Sequence, residues 1–177
     1  EVRPTLIRGN ISEVRTLAVG TGTTQGVDAN AADAVTEENL AAAADLLRAF
    51  AARTAAIVAV TGAIDLVTDG RDCYAIRNGR AEMGRVTGTG CQLSALLAAA
   101  LAAAPADPLA AVAETVALMG TAGEIAWTQM GERDGNATYR TRIIDAIYRM
   151  TSEEFDARMN IKKSRLWTKN AVLRSKA

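Results

Sequence analysis

The chain has 177 residues, of which 49% are hydrophobic and 23% charged, enough for one globular domain with a buried core. Lys plus Arg and Asp plus Glu each number 20, so the net charge gives no argument for a nucleic-acid partner. Histidine is absent, which excludes His-based triads, His metal ligands and His general bases.

Two cysteines and no secretory signal predict a reducing cytosol. We expect no membrane segment, because the apolar helix before Pro105 is too short to span a bilayer. Without histidine, any metal is expected to be a hard cation held by carboxylate and phosphate oxygens.

The first predicted strand is the apolar run Pro4–Ile7. It opens through a glycine turn into a brief helix, for which Asn10 or Ser12 is the candidate N-cap. Ligands of open α/β sheets lie beyond the carboxyl ends of strands, which makes Arg8, Asn10 and Glu13 candidate site residues. A helix cap with surface charge is the alternative explanation.

The segment Leu17–Asn30 is rich in Gly and Thr without periodicity, which predicts a loop. No Lys follows its glycines, so it is not a P-loop. Thr36 is the predicted N-cap of a helix that runs to about Arg53. The apolar, β-prone run Thr54–Thr61 then predicts a strand buried on both faces.

Two short strands are predicted next, Ile64–Thr68 and Cys73–Arg77. Asp-Gly and Asn-Gly turns separate them, as is typical of an antiparallel meander. Cys73 is interpreted as a residue that packs inside its strand.

The motif VTGTGC at residues 86–91 precedes a helix of small apolar residues, Gln92–Ala104. The first N–H groups of a helix have no internal partner, and Gly88 and Gly90 let an anion approach them closely. The pattern therefore predicts an anion hole, with Cys91 in a field that favours its thiolate. A tight strand-to-helix connection with a buried Cys is the alternative interpretation.

A long helix is predicted from Leu109 to about Met130. It contains Gly120 and Gly123, which lower helix propensity and indicate close packing or a nearby ligand.

Two more helices are predicted near the C-terminus. Tyr139–Met150 forms the first, with Ile143, Ile144 and Ile147 on one face. Thr151 begins the second, and residues from Arg158 onward form a basic tail.

Three motifs together resemble the hydroxyethylthiazole kinase family of the ribokinase-like superfamily: IRGNxSE at residues 7–13, AVTGxIDxVTDG at 59–70, and VTGTGC at 86–91. The resemblance runs from the first residues to about Met150. It implies an α/β/α sandwich around a largely parallel sheet. Residues 1–157 would form the C-terminal, nucleotide-side part of one domain, with the N-terminal part missing from this chain and 158–177 a tail.

The resemblance also implies roles for single residues. Arg8 would contact the ATP phosphates, Thr61 would also contact ATP, and Glu13 would help hold Mg²⁺. Gly88 would contact the substrate, and the amides of Gly88, Thr89, Gly90 and Cys91 would form the anion hole. Cys91 stands where most ribokinase-like kinases carry the Asp base.

The implied reaction is ATP-dependent phosphorylation of the hydroxyl of 4-methyl-5-(2-hydroxyethyl)thiazole in thiamine salvage, by a cytoplasmic homotrimer. One alternative is a ribokinase-like kinase for another small alcohol, such as a pyrimidine or pyridoxal. The other is an inactive fragment that needs a partner chain.

Overall fold

The structure, a computed structural model, describes residues 3–20 and 34–164. Its contacts divide the chain into two compact units. The first comprises the described parts of Glu1–Ala75 and Lys162–Ala177, and the second is Ile76–Ile161. The domain boundary expected at residue 157 remains a prediction.

The first unit is built on a mixed five-stranded sheet in the order β1-β2-β3-β4-β5. Its strands are β1 (Leu6–Asn10), β2 (Ile57–Thr61), β3 (Asp65–Thr68), β4 (Cys73–Ile76) and β5 (Ile161–Ser164). β1 pairs with β2 in parallel, whereas β2 and β3 form an antiparallel hairpin. The α/β fold class is confirmed, with a mixed sheet. Residues 161–164 of the predicted tail form β5, and residues 165–177 lie outside the described part.

Helix α1 (Ile11–Val19) begins directly at the end of β1. Asn10 is its N-cap: the Asn10 side chain accepts from Glu13 N, and the Glu13 carboxylate accepts from Asn10 N. Of the two candidate caps, the structure therefore selects Asn10. The predicted start of the loop at Leu17 is wrong, because α1 continues to Val19. Residues 21–30 of that loop lie outside the described residues.

Helix α2 (Leu40–Thr54) starts later than predicted. Thr36 does not cap it, because the Asn39 side chain accepts from Thr36 N at 2.8 Å and holds Thr36 in a turn before the helix. At the other end, the Thr54 hydroxyl donates to Phe50 O at 2.9 Å. Thr54 thus belongs to α2, and the strand predicted from Thr54 begins at Ile57.

The core of the first unit lies between its helices and its sheet. Its fully buried members come from α1, α2, β2 and β3: Val14, Leu40, Leu47, Val58, Val60 and Leu66. Cys73 is also fully buried there, as its position in a strand predicts.

The second unit is helical in its described residues. It contains a 3₁₀ turn (Ala81–Arg85), α3 (Thr89–Ala103), α4 (Pro108–Thr128), α5 (Asn136–Arg149) and α6 (Ser152–Arg158). α4 packs against both α3 and α5. Thr151 caps α6 as predicted, since its side chain accepts from Glu154 N at 3.2 Å.

Among the described residues, α4 alone is long and apolar enough to cross a membrane, so the expectation that no segment reaches that length is wrong. In the structure, 67% of its most apolar stretch is buried inside the protein, as in a core helix. The glycines within α4 serve that packing. A Cβ on Gly120 would stand 2.6 Å from the backbone of Asn78, and one on Gly123 would overlap the Met83 sulfur.

Helix α5 buries Tyr139, Ile143 and Ala146. Of the three isoleucines predicted to share one face, Ile143 is buried but Ile144 is 47% exposed, so the prediction is wrong for Ile144. The Tyr139 hydroxyl donates to Gly123 O at 2.9 Å on the buried face of the helix, which residues 143 and 146 share at helical spacing.

Candidate active site

Five residues gather where β1 and β2 end and β3 begins, and we call them the strand-end cluster. They are Arg8, Asn10, Glu13, Thr61 and Asp65, all in the first unit. The parallel register pairs Asn10 with Thr61, so the carboxyl ends of the two strands coincide. This is the edge of an α/β sheet at which ligands bind.

Arg8 and Thr61, predicted to share a ligand, contact each other directly. Arg8 Nη2 donates to Thr61 Oγ1 at 3.1 Å across the two strands. The Arg8 Nε atom is buried and has no hydrogen-bond partner among the described residues. A buried donor without an acceptor raises the free energy of the folded protein, and an anionic ligand would supply the acceptor that this guanidinium N–H lacks.

Glu13 lies against the end of β1, and Gly9 makes the room for it. A Cβ on Gly9 would stand 2.9 Å from Glu13 Oε2. That oxygen accepts from Asn10 N at 2.7 Å, which fixes the carboxylate in place. A carboxylate has further acceptor capacity, so Glu13 fits the role of one ligand to a hard cation.

The structure gathers no group of three or more His, Cys, Asp or Glu with metal-binding geometry within residues 3–20 and 34–164. Mg²⁺ is commonly held by one or two carboxylates together with substrate phosphates and water. The described residues therefore fit a magnesium ion that shares Glu13 with a phosphate, and they do not form a complete protein cage.

Asp65 belongs to the cluster, although the sequence analysis did not select it as a site residue. Its Oδ1 accepts from Gly62 N at 2.7 Å. Burial raises the pKa of Asp65 to about 7, while the Gly62 bond and the positive charge of Arg8 act in the opposite direction. The residue lies within the AVTGxID motif. Its place became evident only with the β2–β3 register, because that hairpin brings it beside Thr61.

The glycine-rich turn before α3 belongs to the second unit. Gly88 is the N-cap residue with φ +96°, a left-handed conformation that favours glycine. The helix starts at Thr89, earlier than the predicted Gln92, and Gln92 N donates the first helical bond, to Gly88 O at 2.9 Å. The N–H groups of Thr89, Gly90 and Cys91 precede that bond and have no intrahelical acceptor. Backbone N–H groups of this kind are able to bind an anion.

Side chains around this turn hold it in shape. The Thr89 hydroxyl donates to Val86 O at 3.2 Å. The Asn136 amide donates to Arg85 O at 3.0 Å, which ties the start of α5 to the approach to the turn.

Cys91 is exposed and free. The alternative interpretation of a buried cysteine at this connection is therefore wrong. The first turn of α3 thus combines amides without helical partners and an accessible thiol on consecutive residues, whereas Cys73 is buried.

Comparison with known proteins agrees with the motifs. Residues 1–153 match the model of the hydroxyethylthiazole kinase family. The chain is 42% identical over 156 residues to hydroxyethylthiazole kinase from Clostridium acetobutylicum, covering 88% of this chain and 57% of that protein. It is 40% identical over 160 residues to the enzyme of that name from Rhizobium etli, covering 90% of this chain and 58% of the relative.

A solved structure of a hydroxyethylthiazole kinase protein from Pyrococcus horikoshii superposes with a TM-score of 0.72 at 28% identity. The match covers 90% of this chain and 54% of that one. The chain therefore spans little more than half the length of the relatives it matches. Because the family model matches most of its residues, the chain belongs to the hydroxyethylthiazole kinase family.

Proposed function

We propose that this chain supplies the nucleotide side of a kinase that phosphorylates the hydroxyl of 4-methyl-5-(2-hydroxyethyl)thiazole with ATP. The observation that carries the proposal is the first turn of α3, where amides without helical partners lie beside the exposed thiol of Cys91. The printed names of the relatives support the choice of substrate.

Phosphoryl transfer needs positioning and charge stabilisation more than covalent assistance from the protein. In the proposed mechanism, the amides of Thr89, Gly90 and Cys91 stabilise the charge on the transferred group. Cys91 accepts the proton of the attacking hydroxyl. Gly88 contacts the substrate, and its missing Cβ leaves open space, because no described residue other than its chain neighbours has an atom within 4 Å of that position.

The strand-end cluster has the complementary role of holding the nucleotide. Arg8 offers its unpartnered Nε to a phosphate oxygen, and Thr61 keeps the guanidinium in place through their 3.1 Å bond. Glu13 would hold Mg²⁺, which, when bound, neutralises negative charge on the phosphates.

We also propose that the kinase is a cytoplasmic homotrimer, as the family resemblance implies. Light scattering coupled to gel filtration measures this directly. A mass of three chains supports the proposal, and a stable monomer or dimer contradicts it.

The kinase proposal is tested by thiol protection. Iodoacetamide should alkylate Cys91 in the native protein but not Cys73, since only Cys91 is exposed. Mg-ATP should slow the alkylation of Cys91, and AMP at the same concentration should not, because AMP lacks the terminal phosphates. A second assay measures ADP formation that depends on hydroxyethylthiazole. Unchanged alkylation in Mg-ATP, together with no ADP formation, contradicts the proposal.

A further inference from the structure

We propose that Asp65 is a positioning residue for the nucleotide: its hydrogen bond to Gly62 holds the β2–β3 turn so that Thr61 presents the Arg8 guanidinium to a phosphate. This inference deepens the proposed function and rests on it, because Arg8 and Thr61 are assigned there to the nucleotide.

The Asp65 carboxylate closes the turn between β2 and β3. Thr61 ends β2 and Asp65 begins β3, and Val60 pairs with Leu66 on the side of the hairpin next to the turn. The Asp65 carboxylate accepts from Gly62 N at 2.7 Å and so closes the turn from within. Hydrogen bonds to an ionised acceptor are stronger than neutral ones.

The core fixes the other side of the same turn. Ile64 is 7% exposed and packs in the core of the first unit, whereas Gly62 is exposed. Ile64 therefore anchors one side of the turn, and the Asp65 bond orders the exposed side next to Thr61. Without that bond, Gly62 would be free to change conformation, and Thr61 would be held only from the side of β1, through its pairing with Asn10.

The same turn is linked to Arg8 through Thr61. Thr61 Oγ1 accepts a hydrogen bond from Arg8 Nη2 at 3.1 Å. The positive charge of Arg8 acts to lower the pKa of the Asp65 carboxyl group, against the larger effect of burial. Arg8 Nε is left without a partner among the described residues. Asp65 thus holds the turn next to the acceptor that orients Arg8, and it leaves Arg8 Nε available.

An asparagine at this position could also accept from Gly62 N, so the hydrogen bond, rather than the charge of Asp65, holds the turn. Ionisable groups whose titration is shifted by burial beside a charged partner are enriched at functional sites. The combination of a closed turn, a bound guanidinium and a nearby carboxyl group therefore points to positioning of a charged ligand.

The test compares Asp65→Ala with Asp65→Asn. Alanine removes the bond to Gly62, and asparagine keeps an acceptor for it. Asp69→Ala is the matched control, because Asp69 closes the following turn in the same way, accepting from Arg71 N at 2.8 Å and from Asp72 N at 2.9 Å. All variants are first checked for cooperative unfolding.

One measurement needs no nucleotide: the NMR signal of the Arg8 Nε–H group and its rate of hydrogen exchange. Asp65→Ala should shift this signal and speed its exchange, whereas Asp65→Asn and Asp69→Ala should leave it close to wild type. An unchanged Arg8 signal in Asp65→Ala overturns the inference, even if ATP binding by the wild-type chain fails and removes the proposed function.

The other measurement is Mg-ATP binding by calorimetry. Asp65→Ala should weaken binding by about tenfold, a factor within the range for losing a hydrogen bond to a charged group. Asp65→Asn should retain affinity within about threefold, which is below the effect of one such bond. Wild-type affinity in Asp65→Ala, or equal losses in both variants, overturns the inference that the Gly62 bond positions Arg8.

Discussion

Among single residues, Asp65 makes a specific prediction about stability and pH. Its pKa rises from 3.8 to about 7 because burial disfavours the charged form. Between these two values the folded protein binds more protons than the unfolded chain, so the free energy of unfolding falls as pH rises. We expect wild-type stability in urea to decrease between pH 5 and pH 8. Asp65→Asn should remove most of this decrease.

The control for this measurement is Asp69→Asn, which changes an exposed acid in the neighbouring turn. It should keep the wild-type dependence of stability on pH. If Asp65→Asn has the same slope as Asp69→Asn, then Asp65 does not titrate in the range stated.

Cys91 makes a prediction about rate. Proton acceptance matters mainly in the transition state, so Cys91→Ser should lower kcat more than it raises KM. A positioned base contributes about 100-fold at the low end of its usual range, which sets the expected loss in kcat. Steady-state kinetics of hydroxyethylthiazole phosphorylation measure it. Ser94→Ala changes an exposed residue on the same helix and should leave kcat unaltered. Equal kcat in Cys91→Ser would remove Cys91 from the mechanism.

At the scale of an element, the glycines of α4 respond differently to the same substitution. A Cβ on Gly120 meets the Asn78 backbone at 2.6 Å, which cannot move without distorting the chain. A Cβ on Gly123 meets the end of the Met83 side chain, which can rotate away. Overpacking costs about 1–3 kcal/mol, and alanine regains about 1 kcal/mol of helix propensity.

We therefore expect Gly120→Ala to lower the free energy of unfolding clearly more than Gly123→Ala does. Thermal unfolding followed by circular dichroism checks the order. Gly135→Ala is the control, since no atom lies within 4 Å of a Cβ built there. A Tm for Gly120→Ala equal to that of Gly135→Ala would contradict this account of the packing.

The elements that sequence predicted well have strong local signals. α3 follows from a glycine turn and an unbroken run of Ala and Leu, and α6 from the cap at Thr151. The start of α2 was misplaced because both Thr36 and Asn39 are good capping residues, and the local bond from Thr36 N to the Asn39 side chain holds Thr36 in a turn before the helix. The buried face of α5 is set by its packing against α4, which includes the bond from Tyr139 to Gly123 and which no local pattern encodes.

In the candidate site, too, features formed by consecutive residues were predictable from sequence, and features formed by distant residues were not. The turn at Gly88–Cys91 was readable because its residues are consecutive. Arg8 and Thr61 are 53 positions apart, and only the family motifs indicated a shared role before the register placed them in contact. Asp65 was missed because its importance depends on that register, together with the burial that shifts its titration.

At the scale of the whole molecule, Asn78 joins parts of the chain that are far apart in sequence. Its Nδ2 donates to Arg158 O at 2.9 Å, and its Oδ1 accepts from Asn160 N at 2.7 Å. Asn78 is 8% exposed, so neither bond can be replaced easily by water. These bonds span 80 and 82 positions and hold the connection between α6 and β5.

Asn78→Asp tests this clamp with little change in shape. The carboxylate can still accept from Asn160 N, but it has no donor for Arg158 O and places a charge in a buried position. We expect a loss of about 2–4 kcal/mol in the free energy of unfolding, the range for an unpaired buried polar or charged group. Asn136→Asp, which loses one bond at an exposed site, should cost less than about 1 kcal/mol. Urea unfolding of Asn78→Asp and Asn136→Asp measures the two losses in the free energy of unfolding. Equal losses would mean that the long-range bonds of Asn78 do not hold the connection between α6 and β5 in place.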